Sequence, residues 1–158
     1  MHVTAPDHPT SEYAPLTWTQ ILEMSKFGVD YGAHTCTHPI LTKIDSQEAL
    51  WEIKESKRRI EELIQRDIWA FCYPNGKKDD FNENIKAMVR ECGFKCAMSM
   101  IYGMNNSETD PYALRRIADR ETFIHFVHDI SGFGELRSSL RRIIMGHSNI
   151  VQEKRCVA

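Results

Sequence analysis

The residues best suited to chemistry lie close together, in the run His34-Thr35-Cys36-Thr37-His38-Pro39. Two imidazoles at this HxxxH spacing can meet one metal ion, either across a helical turn or around a tight loop. Pro39 and the β-branched threonines disfavour a regular helix, so a loop leaving a strand end is the expected geometry. Neutral imidazole suits zinc and other borderline metals, and a carboxylate third ligand would complete an open catalytic site. Spacing alone is weak evidence, because a pair of surface or core histidines that bind nothing shows it more often. The helical zinc-protease pattern needs a glutamate directly after the first histidine; Thr35 stands there instead, so that reading fails.

The segments around this run must position it. Residues 1–16 carry three prolines and no periodicity, and read as an extended arm. Thr17 opens a helix, with Gln20 placed for a capping box, an apolar face of Ile21, Leu22, Met24 and Phe27, and Gly28 as its left-handed stop. Residues 29–34 are strand-like. Asp45 or Ser46 caps the longest helix, expected to run to about residue 66. Leu50, Ile53, Ile60, Leu63 and Ile64 form its inner stripe, with Glu52, Lys54, Glu55, Lys57 and Arg58 outside. Residues 68–73 form an apolar strand stopped by the Pro74-Asn75-Gly76 turn.

Asp79 and Asp80 then stand where carboxylates favour the start of a helix, one that buries Ile85, Met88, Val89 and Cys92 and stops at Gly93. Residues 94–100 form another apolar strand, residues 107–111 a turn and residues 114–117 a last short strand. Helical stretches follow at about 120–130 and 133–146, and a polar tail occupies 148–158. Strand, turn, helix and strand at this spacing imply parallel strands joined by crossover helices, in one α/β domain over residues 17–147. Such a sheet carries its functional residues on loops at the carboxyl ends of the strands.

Composition narrows the function classes. Of the 158 residues, 42% are hydrophobic and 27% charged, as in an ordinary globular domain. A net charge of -2 gives no global pull toward nucleic acid or an anionic membrane, and Arg137, Arg141 and Arg142 read as a solvated helix face. The five cysteines, Cys36, Cys72, Cys92, Cys96 and Cys156, are scattered and odd in number, which argues against a disulfide framework or a zinc ribbon. Cys72 and Cys96, inside apolar runs, are expected to behave as small buried hydrophobes. No apolar run reaches membrane-spanning length and the first twenty residues lack a signal pattern, so a cytoplasmic location is expected of the chain as written. Trp18, Trp51 and Trp69 fall in helices or strands, where packing is the expected role rather than sugar stacking.

In its strand context the histidine run, within Gly28-Val29-Asp30-Tyr31-Gly32-Ala33-His34-Thr35-Cys36-Thr37-His38-Pro39-Ile40-Leu41, resembles the second motif of the polysaccharide deacetylases (carbohydrate esterase family 4, the NodB-homology domain). Ala70-Phe71-Cys72-Tyr73-Pro74-Asn75-Gly76 is similar to the third motif, one wall of the substrate groove, and Leu114-Arg115-Arg116-Ile117 resembles a stretch of bacterial members. The resemblance covers roughly residues 16–132. It implies a partial distorted (β/α) barrel and metal-dependent hydrolysis of acetyl groups from an acetylated polysaccharide, oligosaccharide or amino sugar. His34 and His38 would be the metal ligands, Thr35 the residue holding their loop, and zinc the expected divalent metal. Tyr73, Pro74 and Asn75 would line the substrate groove, with the Asn75 amide as oxyanion donor; His128 would match the late catalytic histidine, against an ordinary amphipathic-helix histidine.

Two departures stand out. An arginine that orients the base in many members would fall at Cys72. The first motif, Thr-Phe-Asp-Asp, which supplies the base and a third ligand, has no match in residues 1–33; neither Asp7 nor Asp30 has its context. The chain is therefore expected to be a piece lacking the amino-terminal strands, inactive unless a base arrives from elsewhere, and prone to self-associate through an exposed sheet edge. The alternative is a non-catalytic carbohydrate- or partner-binding remnant of the same fold. A regulatory metal module unrelated to sugars has only the bare histidine spacing behind it.

Overall fold

The computed structural model describes residues 14–117 and 122–132, except the side chains of His125, His128 and Asp129. The segment from 133 to 158, with its second helical stretch, polar tail, arginine cluster and Cys156, lies outside the described residues, as does most of the arm.

Helix α1 spans Trp18–Lys26, and Thr17 and Gln20 form the expected capping box. Gly28, at φ +82°, turns the chain out of it. A one-turn 3-10 helix at Leu41–Lys43 leads to α2, Ser46–Ile64, whose N-cap Asp45 accepts from the Gln47 and Glu48 amides. Strand β1 is Ala70–Cys72, α3 is Glu83–Glu91, β2 is Cys96–Tyr102, β3 is Leu114–Arg116 and α4 is Phe123–Ile130. The sheet order is β1-β2-β3 and both pairings are parallel, with Phe71 opposite Ala97 and Met98 opposite Leu114. Each parallel step is a crossover, through α3 between β1 and β2 and through a loop with a 3-10 turn at Pro111–Ala113 between β2 and β3.

Ahead of β1, the strand-like run at 29–34 contributes a single parallel bridge, Ala33 to Phe71. The Ala33 amide donates to the Ala70 carbonyl at 3.0 Å, and the Cys72 amide to the Ala33 carbonyl at 2.9 Å. A Cβ at Gly32 would come within 2.9 Å of the Ala70 carbonyl oxygen, so glycine there permits this close approach.

The core gathers Ala33, Leu41, Ile53, Ile68, Phe71, Tyr73, Phe81, Ile85, Val89, Phe94 and Ala97. Phe71 lies 5.3 Å from Phe94 between ring centres, and Tyr73 stacks on Phe81 at 4.3 Å. These aromatic contacts fasten β1 to its neighbours.

Several expectations are corrected. On α2, Leu50 is exposed, whereas Glu52 is buried with Ala49, Ile53 and Ser56. The face toward the sheet follows the period through 49, 52, 53 and 56, and two polar residues on it hide that period from a hydropathy reading. Phe27 is exposed rather than packed. Asp79 and Asp80 do not cap α3; Asn82 does, its side chain accepting from the Ile85 amide. Trp18, Trp51 and Trp69 stand about half exposed, at 56%, 50% and 47%, because each sits on the outer side of its segment. Cys72 and Cys96 are only partly buried, and the four described cysteines are free thiols. Among the described residues no helix is long and apolar enough to cross a membrane.

Candidate active site

Because Ala33 bridges Phe71, His34 leaves the sheet level with Cys72, at the carboxyl end of β1. The His34 Nδ1 lies 2.8 Å from the Cys72 carbonyl oxygen. A carbonyl only accepts, so this contact assigns the proton to Nδ1 and leaves the Nε2 lone pair available. His38 returns beside it, ring centres 4.8 Å apart and planes at 75°. The turn between them is unusual: Thr35 and His38 both hold left-handed backbone, at φ 64° and 62°. Non-glycine residues adopt that region only when their surroundings enforce it.

Two devices enforce it here. The Thr35 hydroxyl donates to the His34 carbonyl at 2.5 Å and accepts from the His38 amide at 3.1 Å, closing the turn from within. From below, Glu52 of α2 reaches up. One carboxylate oxygen accepts from the Cys36 amide at 2.5 Å and the Thr37 amide at 3.0 Å; the other accepts from the Thr37 hydroxyl at 2.5 Å. Glu52 is 1% exposed. Burial alone would raise its pKa, but the Thr37 hydroxyl and the Cys36 and Thr37 amides favour the ionised form, and the net shift is downward.

The second turn, Pro74-Asn75-Gly76, follows β1 directly. Asn75 takes φ 58° and Gly76 φ 62°, and a Cβ on Gly76 would come within 3.0 Å of the Met100 amide nitrogen. Asp80 holds this turn: it accepts from the Asn75 side-chain amide at 2.7 Å and from the Lys77 amide at 2.8 Å. The Asn75 backbone N–H makes no hydrogen bond among the described residues. Pro74 is fully buried beneath the turn. The Tyr73 hydroxyl donates to the Tyr112 carbonyl at 2.8 Å, and burial, reinforced by Asp110, pushes its pKa up.

The two turns enclose a cavity of about 260 Å³ lined by His34, His38, Cys72, Tyr73, Asn75, Met100 and Arg116. Arg116 enters from the end of β3 and donates to the Cys72 sulfur at 2.7 Å and the Met100 sulfur at 3.5 Å. Burial raises the Cys72 thiol pKa, and the neighbouring guanidinium opposes that without reversing it.

The structure thus brings His34, His38, Tyr73 and Asn75 to one cavity, with Thr35 inside the histidine turn. His128 belongs to α4, but its side chain is outside the described residues. As a donor set, the paired imidazoles, with the His34 tautomer fixed, suit a zinc-like cation; among the described residues no third histidine, cysteine or carboxylate completes a cluster with them.

Sequence reasoning missed Glu52, Asp80 and Arg116 as parts of the site. The first had a signal, its place in the 49, 52, 53, 56 period. Arg116 shares the strand face of the partly buried Leu114 rather than that of exposed Arg115, a weaker cue. Asp80 follows the third motif, where with Asp79 it could also be read as a substitute ligand; the structure instead gives it the Asn75 turn to hold.

Comparison with known proteins finds relatives in family and fold. The polysaccharide deacetylase family model matches residues 2–97. No curated protein sequence matches the chain. Among solved structures, the deacetylase PplD of Streptococcus pyogenes, in complex with acetate, superposes with a TM-score of 0.62 at 24% identity, over 68% of this chain and 46% of that one. A polysaccharide deacetylase from Bacillus cereus gives 0.56 at 21% identity, over 68% of this chain and 33% of that one. A de-N-acetylase from Aggregatibacter actinomycetemcomitans gives 0.58 at 17% identity, over 76% and 55%. These likenesses show a shared fold, and the chain spans about half or less of each structure's length. The partial parallel α/β architecture agrees with them, and the family model covers both turns of the cavity and well over half of the chain: this protein belongs to the polysaccharide deacetylase family.

Proposed function

We propose that this chain carries the histidine side of a metal-dependent deacetylase site that removes acetyl groups from an acetylated polysaccharide or oligosaccharide. The observation that carries the reading is the convergence of His34 and His38 with the Asn75 turn on one cavity, the His34 tautomer being held by the Cys72 carbonyl. His34 and His38 would hold the cation, zinc being the metal most in keeping with two imidazoles. When bound, such a cation polarises an acetyl carbonyl and lowers the pKa of water beside it. The chain's own part is to place the acetyl group. The uncommitted Asn75 N–H is a ready donor to an oxygen gaining negative charge, and its left-handed backbone, tied by Asp80, fixes where it points. Among the described residues no carboxylate lines the cavity, so the reading requires a base and a further ligand from elsewhere, in this chain or another. Acetate in the Streptococcus pyogenes relative is the product class that such a reaction releases. Self-association through an open sheet edge remains part of the proposal, and sedimentation of the purified chain tests it: a monomer at all concentrations removes it.

The test of function is a calorimetric zinc titration of the metal-stripped chain, with His38→Ala as control, followed by an acetate-release assay on acetylated chitooligosaccharides. Binding lost in the variant together with acetate release supports the reading. Binding without release favours the non-catalytic carbohydrate-binding alternative. Binding indifferent to His38→Ala overturns the metal assignment.

A further inference from the structure

The loop between β2 and β3 builds a second cavity of about 260 Å³, lined by Met104, Asn105, Asn106, Glu108, Thr109 and Arg115. It shares no lining residue with the histidine cavity. Consecutive strand residues point to opposite faces, so Arg116 enters one cavity and Arg115 the other. Three polar side chains of the second cavity are spent on the loop itself. The Asn105 side-chain amide donates to the Arg115 carbonyl at 3.0 Å, and its oxygen accepts from the Arg115 amide at 2.9 Å, which fastens the loop to β3. The Asn106 side chain accepts from the Glu108 amide and the Thr109 hydroxyl, each at 3.0 Å, and that hydroxyl accepts from the Asn106 amide at 2.9 Å. Two charged groups stay uncommitted. Among the described residues neither the Glu108 carboxylate nor the Arg115 guanidinium has a hydrogen-bond or ion-pair partner, and they do not pair with each other although they line one cavity. Asp110, the carboxylate two residues further on, is taken by Lys86 at 2.8 Å.

We infer that this cavity binds a small zwitterion, the α-amino-acid group, with its carboxylate on Arg115 and its ammonium on Glu108. A ligand of sugar hydroxyls would need the amide and hydroxyl groups that the loop has already used. A singly charged ion would satisfy one of the two groups and be repelled by the other. An α-amino acid carries both charges on one carbon, and so bridges two opposite charges that share a cavity without touching. Its planar carboxylate accepts two parallel N–H bonds from a guanidinium, a charge-assisted pairing. Met104 offers an apolar surface to a short side chain. The volume lies below the roughly 300–1,000 Å³ of sites for drug-sized ligands, in keeping with a ligand of few atoms. The side-chain bonds of Asn105 and Asn106 hold the loop in place beforehand, which lowers the ordering cost of binding. The site does not depend on the deacetylase reading.

The full chain is titrated with alanine, with alaninamide, which keeps only the positive charge, and with N-acetylalanine, which keeps only the negative one, while backbone amide resonances are followed by NMR. Alanine is expected to give saturable shifts at Asn106, Glu108 and Arg115, about tenfold tighter than either analogue, the value of one charge-assisted contact. Glu108→Gln is expected to reduce alanine to the affinity of N-acetylalanine, and Arg115→Gln to that of alaninamide. Alanine that gives no saturable shift overturns the inference, and so does an analogue that binds as tightly as alanine. Both results are read on the unaltered chain and need no variant to fold. Unchanged alanine affinity in either folded variant overturns it as well, as do shifts centred on His34 and His38, which would place the ligand in the other cavity.

Discussion

The two turns that wall the cavity solve one problem in different ways. Each leaves the carboxyl end of the sheet, holds at least one non-glycine residue at positive φ, and has polar groups gathered by one carboxylate. Asp80, which holds the Pro74-Asn75-Gly76 turn, lies five residues beyond Asn75, so that loop closes largely on itself. Glu52, which holds the histidine turn, comes from a separate helix, 16 residues beyond Cys36, and makes three bonds in full burial. The Pro74-Asn75-Gly76 turn depends on local closure, the histidine turn on α2 being docked. The geometry of the histidine turn should therefore be the more sensitive to changes remote from it in sequence.

Breaking that dependence should have the largest effect. Glu52→Ala leaves two amides and a hydroxyl without their acceptor, and should cost about 3 kcal/mol of stability. It should also weaken zinc binding at least tenfold in calorimetry, since His38 loses its support. Acidification probes the same group reversibly. The folded pKa of Glu52 is lowered, so its contribution is complete above the ordinary carboxylate range, near pH 4.3. That contribution fades as pH falls through the lowered folded value. Thermal melts between pH 7 and pH 3 should show this loss in the wild-type chain and less of it in Glu52→Gln.

The corresponding change in the other turn should be milder and should separate the two roles. Asp80→Ala removes two bonds to an ionised acceptor, about 2 kcal/mol, yet should leave zinc affinity within twofold because the histidine turn does not touch it. A large loss of zinc binding in Asp80→Ala would contradict the independence of the turns. Smallest is Thr35→Val, which removes the acceptor of the His38 amide inside the turn, about 1 kcal/mol in denaturant titrations. Its effect on zinc affinity should fall between those of Asp80→Ala and Glu52→Ala.

Much of the scaffold was legible because it is written in short-range rules. The Thr17 capping box, the Asp45 cap of α2, the Gly28 and Gly93 stops and the apolar strands all depend on neighbours within a few positions. Where a role depends on tertiary contact or on an irregular turn, the sequence misleads: Glu52 reads as solvent-facing yet is buried under the histidine turn, and Asp80 reads as a helix start although it closes the turn three to five residues behind it. A carboxylate looks alike in sequence whether it faces water or three buried donors. Only the arrival of the histidine turn over α2 decides which.

The sequence alone thus determined the alternation of strands and helices, the parallel order that follows from it, and the histidine spacing that marks the family. The tertiary structure decided what pairs across the sheet: Cys72 carbonyl with His34, Glu52 with the turn at 36 and 37, and Arg116 with the sulfur of Cys72. The division has a physical cause. Backbone propensity and apolar periodicity act over a few residues, whereas a buried polar group finds its partner only after the helices have packed and water has left.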